Sequence, residues 1–489
     1  DLPAQGGAGL ERYEGMLVRV PGPVTVSQNF FLGRYGQLTM SVGGRLETPT
    51  NRHRPGPQAQ ALSQENARRS FILDDSTTAQ NPNPIPYIGA DNTVRAGDTV
   101  DAVVGVVDYG LATASNTGLA SYRIHPTVPP RFTRAHPRTQ APEPVGGNVR
   151  VASFNVLNFF TTFTDGRTAD GESGQGCRLG DAVAASNCRG ASNLAEYLRQ
   201  RDKIVAALAA VDADVVGLIE IQNNGDVAVR HLVDALNARV GAGVYAAVPQ
   251  AEAGAGTDAI KLAFLYKPAR VSLAGPALID ADPVHNRPPL GQAFAAANGE
   301  RFAVIVNHFK SKSCGDATGA EADQGDLQGC WNALRVRQAQ ALADFAEALQ
   351  VAGDTEDVLV IGDLNAYAQE DPVHELTQRG WVDEVGRYNR FGYGYVFDGA
   401  AGRLDHALAS PSLSPKVTGA TEWHINADEP SVIDYNLEFK PQDLYSPTPY
   451  RSSDHDPVVV GLQLYRTIQD SRRPEKVQGT PGDDILIGG

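Results

Sequence analysis

Two hydrophobic rhythms divide this chain. Up to about residue 128, apolar and polar positions alternate: EGMLVRVPGPVTVS, GRYGQLTMSV and DTVDAVVGVVDYG each read as a strand with one buried face. Gly and Pro punctuate these runs, and NRHRPGPQAQALSQENARRS between them reads as loop with one short helix. Short strands broken by such turns predict a small all-β, OB-like barrel over residues 1–128. PPRFTRAHPRTQAPEPVGG, residues 129–147, is a Pro-rich connector.

From Asn148 the rhythm changes. NLAEYLRQRDKIVAALAAV places Leu194, Tyr197, Leu198, Ile204, Val205 and Leu208 at helical spacing, and AVRHLVDALNAR and ALRVRQAQALADFAEAL are helices too. Between them lie apolar strands: VRVASFNVLNFF, DVVGLIEI, AIKLAFLYKP, RFAVIVNHFKS, DVLVIGDLNAY, LDHALAS and the run after SSDHDP. The alternation predicts an α/β domain over residues 148–465, with helices outside sheets, and residues 466–489 are a tail.

Length and composition narrow the class. A chain of 489 residues with 42% apolar residues is long enough for two or three domains with real cores. No stretch of about 18 uncharged apolar residues occurs, so no membrane-spanning helix and no membrane insertion are expected. The chain starts at Asp1 without an initiator Met, as a processed or trimmed chain would. A net charge of −15, from 57 acids against 42 bases, means that any polyanion must bind locally, with metal ions and a few Arg and Lys offsetting repulsion. Arg52, Arg54, Arg68 and Arg69 have no aromatic residues interleaved and read as solvated surface. Four cysteines fall in two local pairs, Cys177 with Cys188 and Cys314 with Cys330. The local pairing closes the smallest loops of the three possible connectivities. Disulfides there imply an oxidising, extracellular setting, and the lack of any CxxC argues against zinc.

The chemistry lies at strand ends. Asn155, Glu220, Asn307 with His308, Asp363 with Asn365, and Asp454 with His455 interrupt or end apolar strands. Such groups are costly to bury without partners, so they are expected to share one cleft. Carboxylate and amide oxygens with few nitrogens suit Mg²⁺ or Mn²⁺. Neither a GxSxG elbow nor a GxxxxGK[ST] loop is present, which leaves metal-assisted attack of water on phosphorus.

SFNVLN, LIEIQNN, NHFKSK, GDLNAY, LDHAL and SSDHDPV, in that order, resemble the endonuclease/exonuclease/phosphatase superfamily that includes DNase I and exonuclease III. The likeness covers about residues 148–465. EGMLVRVPGP and YGYVFDGAAGRLDHAL resemble, more particularly, secreted bacterial nucleases of the ExeM type. The resemblance implies a four-layer αββα sandwich and a secreted, metal-dependent nuclease, a monomer acting on extracellular DNA, with RNA as an alternative substrate. It places Asn155, Glu220 and Asp454 at the metal, Asp363 at the attacking water and Asn365 at a phosphate oxygen. His308 falls at the scissile phosphate. His455 is a general base or phosphate-stabilising imidazole, with Asp405 hydrogen-bonded behind it. Either Asp363 or His455 takes the proton. Arg287 and Lys310 are expected to contact substrate, with surface placement the alternative for Arg287. Lys312 is either a contact to the DNA backbone or part of a charged loop. Asp258 is only loosely aligned as a partner of His308, because the family usually has Glu hereabouts, and His406 reads as structural. A phosphatase or phospholipase of the same superfamily, or a binding or adhesion protein on a degenerate catalytic fold, is the alternative. GTPGDDILIGG in the tail resembles the start of a calcium-binding nonapeptide repeat. This suggests Ca²⁺ as a further ligand, type I secretion and an unstructured tail here.

Overall fold

A computed structural model describes residues 9–112, 120–250, 255–469, 479 and 482–487. In the N-terminal third, Leu17–Gln28, Leu38–Val42, Ser70–Leu73, Thr99–Gly110 and Ser121–Pro126 close into a five-stranded barrel. The first strand runs unbroken through Pro21-Gly22-Pro23 because its pairing register shifts between Pro21 and Val24, where proline offers no N–H to the ladder. The segment expected to be mostly loop holds a helix of 13 residues, Pro57–Arg69, with proline in its first turn.

The rest of the chain builds two sheets face to face. One orders Ala246–Ala247, Ile260–Tyr266, Val215–Gln222, Val149–Phe159, Val458–Leu462 and Val417–Glu422. The other orders Val271–Leu273, Leu290–Ala296, Arg301–His308, Val358–Asp363, Asp405–Ala409 and Val382–Asp383. Strand alternation sorts the apolar residues into layers. Val151, Ile219, Val306, Ile361 and Val460 fill the space between the sheets. Phe154, Val216 and Leu218 face outward onto the helices Leu194–Val211 and Val227–Val240, meeting Ile204, Leu208 and Leu232. Ile305, Val360 and Leu408 face the helix Asn332–Gly353 through Leu342 and Leu349. The expected four-layer αββα sandwich is therefore present. Gly217 is required in its centre, since a Cβ there would lie 2.7 Å from Ile361 Cδ1 of the opposite sheet.

Barrel and sandwich are fused rather than tethered. Leu46–Glu47 pairs in parallel with Ala400–Gly402. The helix ends and loops are crossed by Thr50 Oγ1 donating to Glu370 Oε1 at 2.8 Å and by Arg54 meeting Asp371 at 2.5 Å. The Pro-rich connector takes part, with Arg134 bound to Asp98 and Arg138 to Glu429, both at 2.7 Å. Arg52, Arg54 and Arg68 are exposed, as read from the sequence, and three of the four arginines make surface ion pairs: Arg52 with Glu47, Arg54 with Asp371 and Arg69 with Glu65.

Both cysteine pairs are disulfides, Cys177–Cys188 and Cys314–Cys330. Among the described residues no helix is long and apolar enough to cross a membrane. The tail departs from the unstructured expectation. Arg466–Gln469 pairs in parallel with Asp484–Ile487, and Asp483 is gripped by Asn298 through its carbonyl and by Gln463 through its carboxylate, each at 2.6 Å. The end of the tail therefore adds main-chain hydrogen bonds and side-chain anchors that composition alone does not reveal; residues 470–478, 480, 481, 488 and 489 lie outside the described residues.

Candidate active site

The strands deliver their polar ends to one rim of the sandwich. Val149–Phe159 and Val215–Gln222 run parallel, as do Arg301–His308 and Val358–Asp363, so Asn155, Glu220, His308 and Asp363 arrive at or near C-terminal ends. Asp405–Ala409 and Val458–Leu462 run antiparallel to their neighbours, so they contribute at their starts, through Asp405 and through Asp454–His455 just before the strand. His308, Asp363 and Asp405 sit side by side across three strands. Gly362 allows this approach: its φ is +121°, and a Cβ there would lie 2.3 Å from the Asn307 carbonyl oxygen.

At the centre, His455 Nδ1 donates to Asp405 Oδ2 at 2.5 Å, which fixes the tautomer and leaves Nε2 as the free ring nitrogen. Burial opposes a charge on this imidazole, but Asp405 and Asp454 outweigh it and raise its pKa well above the usual range. Burial and then Asp405 push the Asp363 carboxyl up to about 7. Asp363 Oδ1 accepts the Asn365 N–H at 2.7 Å, and Asn365 Nδ2 donates to the Phe309 carbonyl at 3.1 Å. Asn365 adopts φ +47°, a conformation asparagine tolerates better than most residues.

Glu220 owes its position to a bulge. The register slips between Leu218 and Ile221, and Glu220 takes φ +69°, so the alternation that would send it into the helix layer is broken. Such a backbone costs ~1–3 kcal/mol in a non-glycine residue and is typical of functional sites. Asn155 Nδ2 donates to Glu220 Oε1 at 3.2 Å and the Asn158 N–H to Oε2 at 2.9 Å. The amide oxygen of Asn155 accepts the Leu157 N–H at 3.0 Å, while its Nδ2 holds Glu220 in place. Burial and then Asp454 raise the Glu220 pKa. No ion pair reaches Glu220 or Asp454 among the described residues.

On the other flank Arg287 is buried. Its Nη1 donates to His308 Nε2 at 2.8 Å and its Nη2 to the Phe309 carbonyl. His308 Nε2 also lies 3.4 Å from Asp363 Oδ2. Burial and Arg287 together hold His308 well below the usual imidazole range, so it is neutral. Asp258 is not a partner of His308. It lies 3.9 Å from Arg287 and 3.2 Å from Arg189, one step behind the site, because the arginines draw the carboxylate. The ammonium of Lys310 sits over the Trp331 ring, 5.0 Å from its centroid. Lys312 does not reach outward: its Nζ donates to the buried Glu370 at 2.5 Å, where a charge needs a partner.

The remaining polar residues are scaffolding. Asp456 accepts from the Asn426 and Ala427 N–H groups and from His424 Nδ1. His406 Nε2 donates to the Ala366 carbonyl at 2.8 Å. Tyr395, which strand-end logic misses because it ends no apolar run, lies with its ring 4.6 Å from that of His455.

Glu220 and Asp454 lie near enough for the charge of Asp454 to raise the Glu220 carboxyl, and hard oxygen donors of this kind fit a divalent ion such as Mg²⁺. Among the described residues no group of three or more His, Cys, Asp or Glu side chains is arranged as a metal site, so the fit rests on Glu220 and Asp454 among these residue types.

No curated protein matches the chain. Solved structures do. The human Nocturnin catalytic domain with bound sulfate is 15% identical over 65% of this chain and 95% of its own, at a TM-score of 0.38. A mannosyl-6-phosphatase of Bacteroides thetaiotaomicron is 15% identical over 65% of this chain and 100% of its own, also at 0.38. D. rerio TDP2 complexed with a single-strand DNA product is 15% identical over 64% of this chain and 97% of its own, at 0.37. The model of the endonuclease/exonuclease/phosphatase family matches residues 152–455, more than half of the chain and every strand end described above, and the chain belongs to that family.

Proposed function

We propose that this protein is a secreted, divalent-metal-dependent nuclease that hydrolyses phosphodiester bonds of DNA, and of RNA by the same chemistry. The observation that carries the reading is the Asp405–His455 pair standing beside Asp363 at the rim where Glu220 and Asp454 converge. A divalent ion held by Glu220 and Asp454 would neutralise charge on the phosphate. The chain's own residues then divide the work. Asp363 takes the proton from the attacking water, Asn365 keeps its carboxylate aligned, and His455, its tautomer set by Asp405, handles a proton or a hydrogen bond at Nε2. Neutral His308, backed by Arg287, donates to a phosphate oxygen. Two disulfides in a chain of this size support an oxidising, extracellular compartment. The barrel's closed order, with its fifth strand inserted between the third and fourth, supports an OB-like reading of the N-terminal domain.

The direct test is incubation with supercoiled plasmid, linear duplex, single-stranded DNA and RNA, with Mg²⁺ and with EDTA. Cleavage with Mg²⁺ and none with EDTA is the expected result; inertness towards all four would point to a phosphomonoester or lipid substrate instead. The pH profile tests the base. Because Asp363 works only when deprotonated, kcat/KM should rise with pH up to about 7 and then level. Asp405→Asn removes the charge that helps raise Asp363, so the rising limb should move to lower pH. A limb that stays in place contradicts the assignment.

A further inference from the structure

The first barrel strand ends in a turn, Gln28 to Phe31, that is held against the sandwich. Asn29 Nδ2 donates to the carbonyls of Val94 and Asp428, both at 2.8 Å, and Ser431 Oγ donates to the Phe30 carbonyl at 3.0 Å. Phe31 meets the Phe30 ring edge-on, with centroids 5.1 Å apart. This firmly anchored backbone carries a phenylalanine that is 51% exposed. A single exposed aromatic is ordinary. Its position is not: Phe30 and Gln28 line one cleft with Arg451, Tyr395 and the candidate metal ligand Asp454. Tyr395 in turn touches the His455 imidazole. Aromatic side chains therefore stand in this cleft both at the reacting centre and on the barrel. Arg451, its Nη1 fixed by the carbonyls of Asn426 at 2.9 Å and Glu429 at 3.3 Å, adds a positive charge to the same wall.

We infer that Phe30 and Tyr395 form a stacking platform for a nucleobase flanking the scissile phosphate, with Arg451 beside the adjoining backbone phosphate. The barrel then supplies a wall of the substrate cleft, and the inference rests on the nuclease reading above. A half-exposed ring on a rigid turn suits this task, since every base presents a π-face and stacking tolerates any sequence. It also separates polynucleotide from small phosphoester: a substrate without a base has nothing to place on Phe30.

Deleting the barrel is no test, because Arg95 and Thr93 of the barrel region hold the buried Glu429 of the sandwich. Phe30→Ala in the full chain is suitable, with Phe30→Trp as the conservative variant and Phe439→Ala, another exposed phenylalanine, as the control. Binding of a fluorescein-labelled single-stranded oligodeoxynucleotide is read by anisotropy in EDTA. Its kcat/KM is then compared with that on an abasic dinucleotide, a small diester without an aromatic ring. Phe30→Ala should weaken binding and lower the kcat/KM ratio by about 5- to 100-fold, the range of one lost base stack. Phe30→Trp should retain both and Phe439→Ala should alter neither. An abasic residue at the flanking position should cost the wild type as much and cost Phe30→Ala nothing further. Wild-type affinity and ratio in Phe30→Ala, with oligonucleotide cleavage intact, overturns the platform alone. A wild type that hydrolyses the small diester but neither binds nor cleaves oligonucleotides overturns the nuclease reading and the platform with it.

Discussion

His455→Ala should lower kcat for nicking of supercoiled plasmid by about 10³-fold or more while leaving the circular-dichroism spectrum unchanged. The size follows from what the imidazole touches. It bonds Asp405, at 2.5 Å, and also helps hold down the pKa of Asp363 and Glu220. Without it, Asp363 and Asp405 face each other across a register pair with no compensating cation between them, and Asp363 binds its proton more tightly. The variant therefore loses the proton-handling Nε2 and weakens the base as well. The fold should survive, because the contact His455 makes with the rest of its loop, the Asn426 Nδ2 hydrogen bond at 2.6 Å, goes to its main-chain carbonyl. Asp405→Asn keeps the imidazole but not its carboxylate partner, so its loss should be smaller. Undiminished nicking by His455→Ala would remove this residue from the mechanism.

Much of this site is legible in sequence because the cost of burying charge is local. VLVIGD, VIVNH and GLIE are runs that belong in a core, and Asp363, His308 and Glu220 at their ends make sense only beside one another. Strand direction then decides that they share a rim. What stays hidden depends on distant partners. Asn155 reads as a ligand because asparagine oxygen suits a hard cation, but that its amide oxygen also accepts the Leu157 N–H and its Nδ2 donates to Glu220 is not visible in the sequence. Asp258 has the charge to pair with His308, yet two arginines from separate loops reach it. Lys312 looks like a surface lysine until Glu370, buried beneath the barrel's Thr50, takes its charge. The fusion of barrel to sandwich is the least visible of all. Two of its acids lie in Asn426-Ala427-Asp428-Glu429-Pro430, a turn-like composition that on its own predicts solvent.

That turn supplies the largest expected effect on stability. Glu429 is fully buried, and its Oε1 accepts from Arg138 Nε at 2.7 Å and from Arg95 Nη1, while Oε2 accepts from Arg138 Nη2 at 2.8 Å and Thr93 Oγ1 at 2.7 Å. Burial raises the pKa of this carboxyl, but the arginines more than offset it and leave the value below the usual range. Glu429→Ala strands Arg95, which is 2% exposed and keeps only Asp428 at 3.3 Å as a carboxylate partner. Breaking one side of such a pair costs ~3–5 kcal/mol, more than the pair contributes over an apolar substitute. The sign with pH follows from the depressed value. The contribution is present in full above the unfolded carboxyl pKa of about 4.3 and is lost as pH falls through the lower folded value. Urea unfolding should therefore show the deficit of Glu429→Ala undiminished at neutral pH and shrinking in acid, while replacing Glu429 and Arg95 together by Met should recover part of it. A deficit below about 0.5 kcal/mol at neutral pH, the range of ordinary surface substitutions, would mean that barrel and sandwich are not joined through this carboxylate.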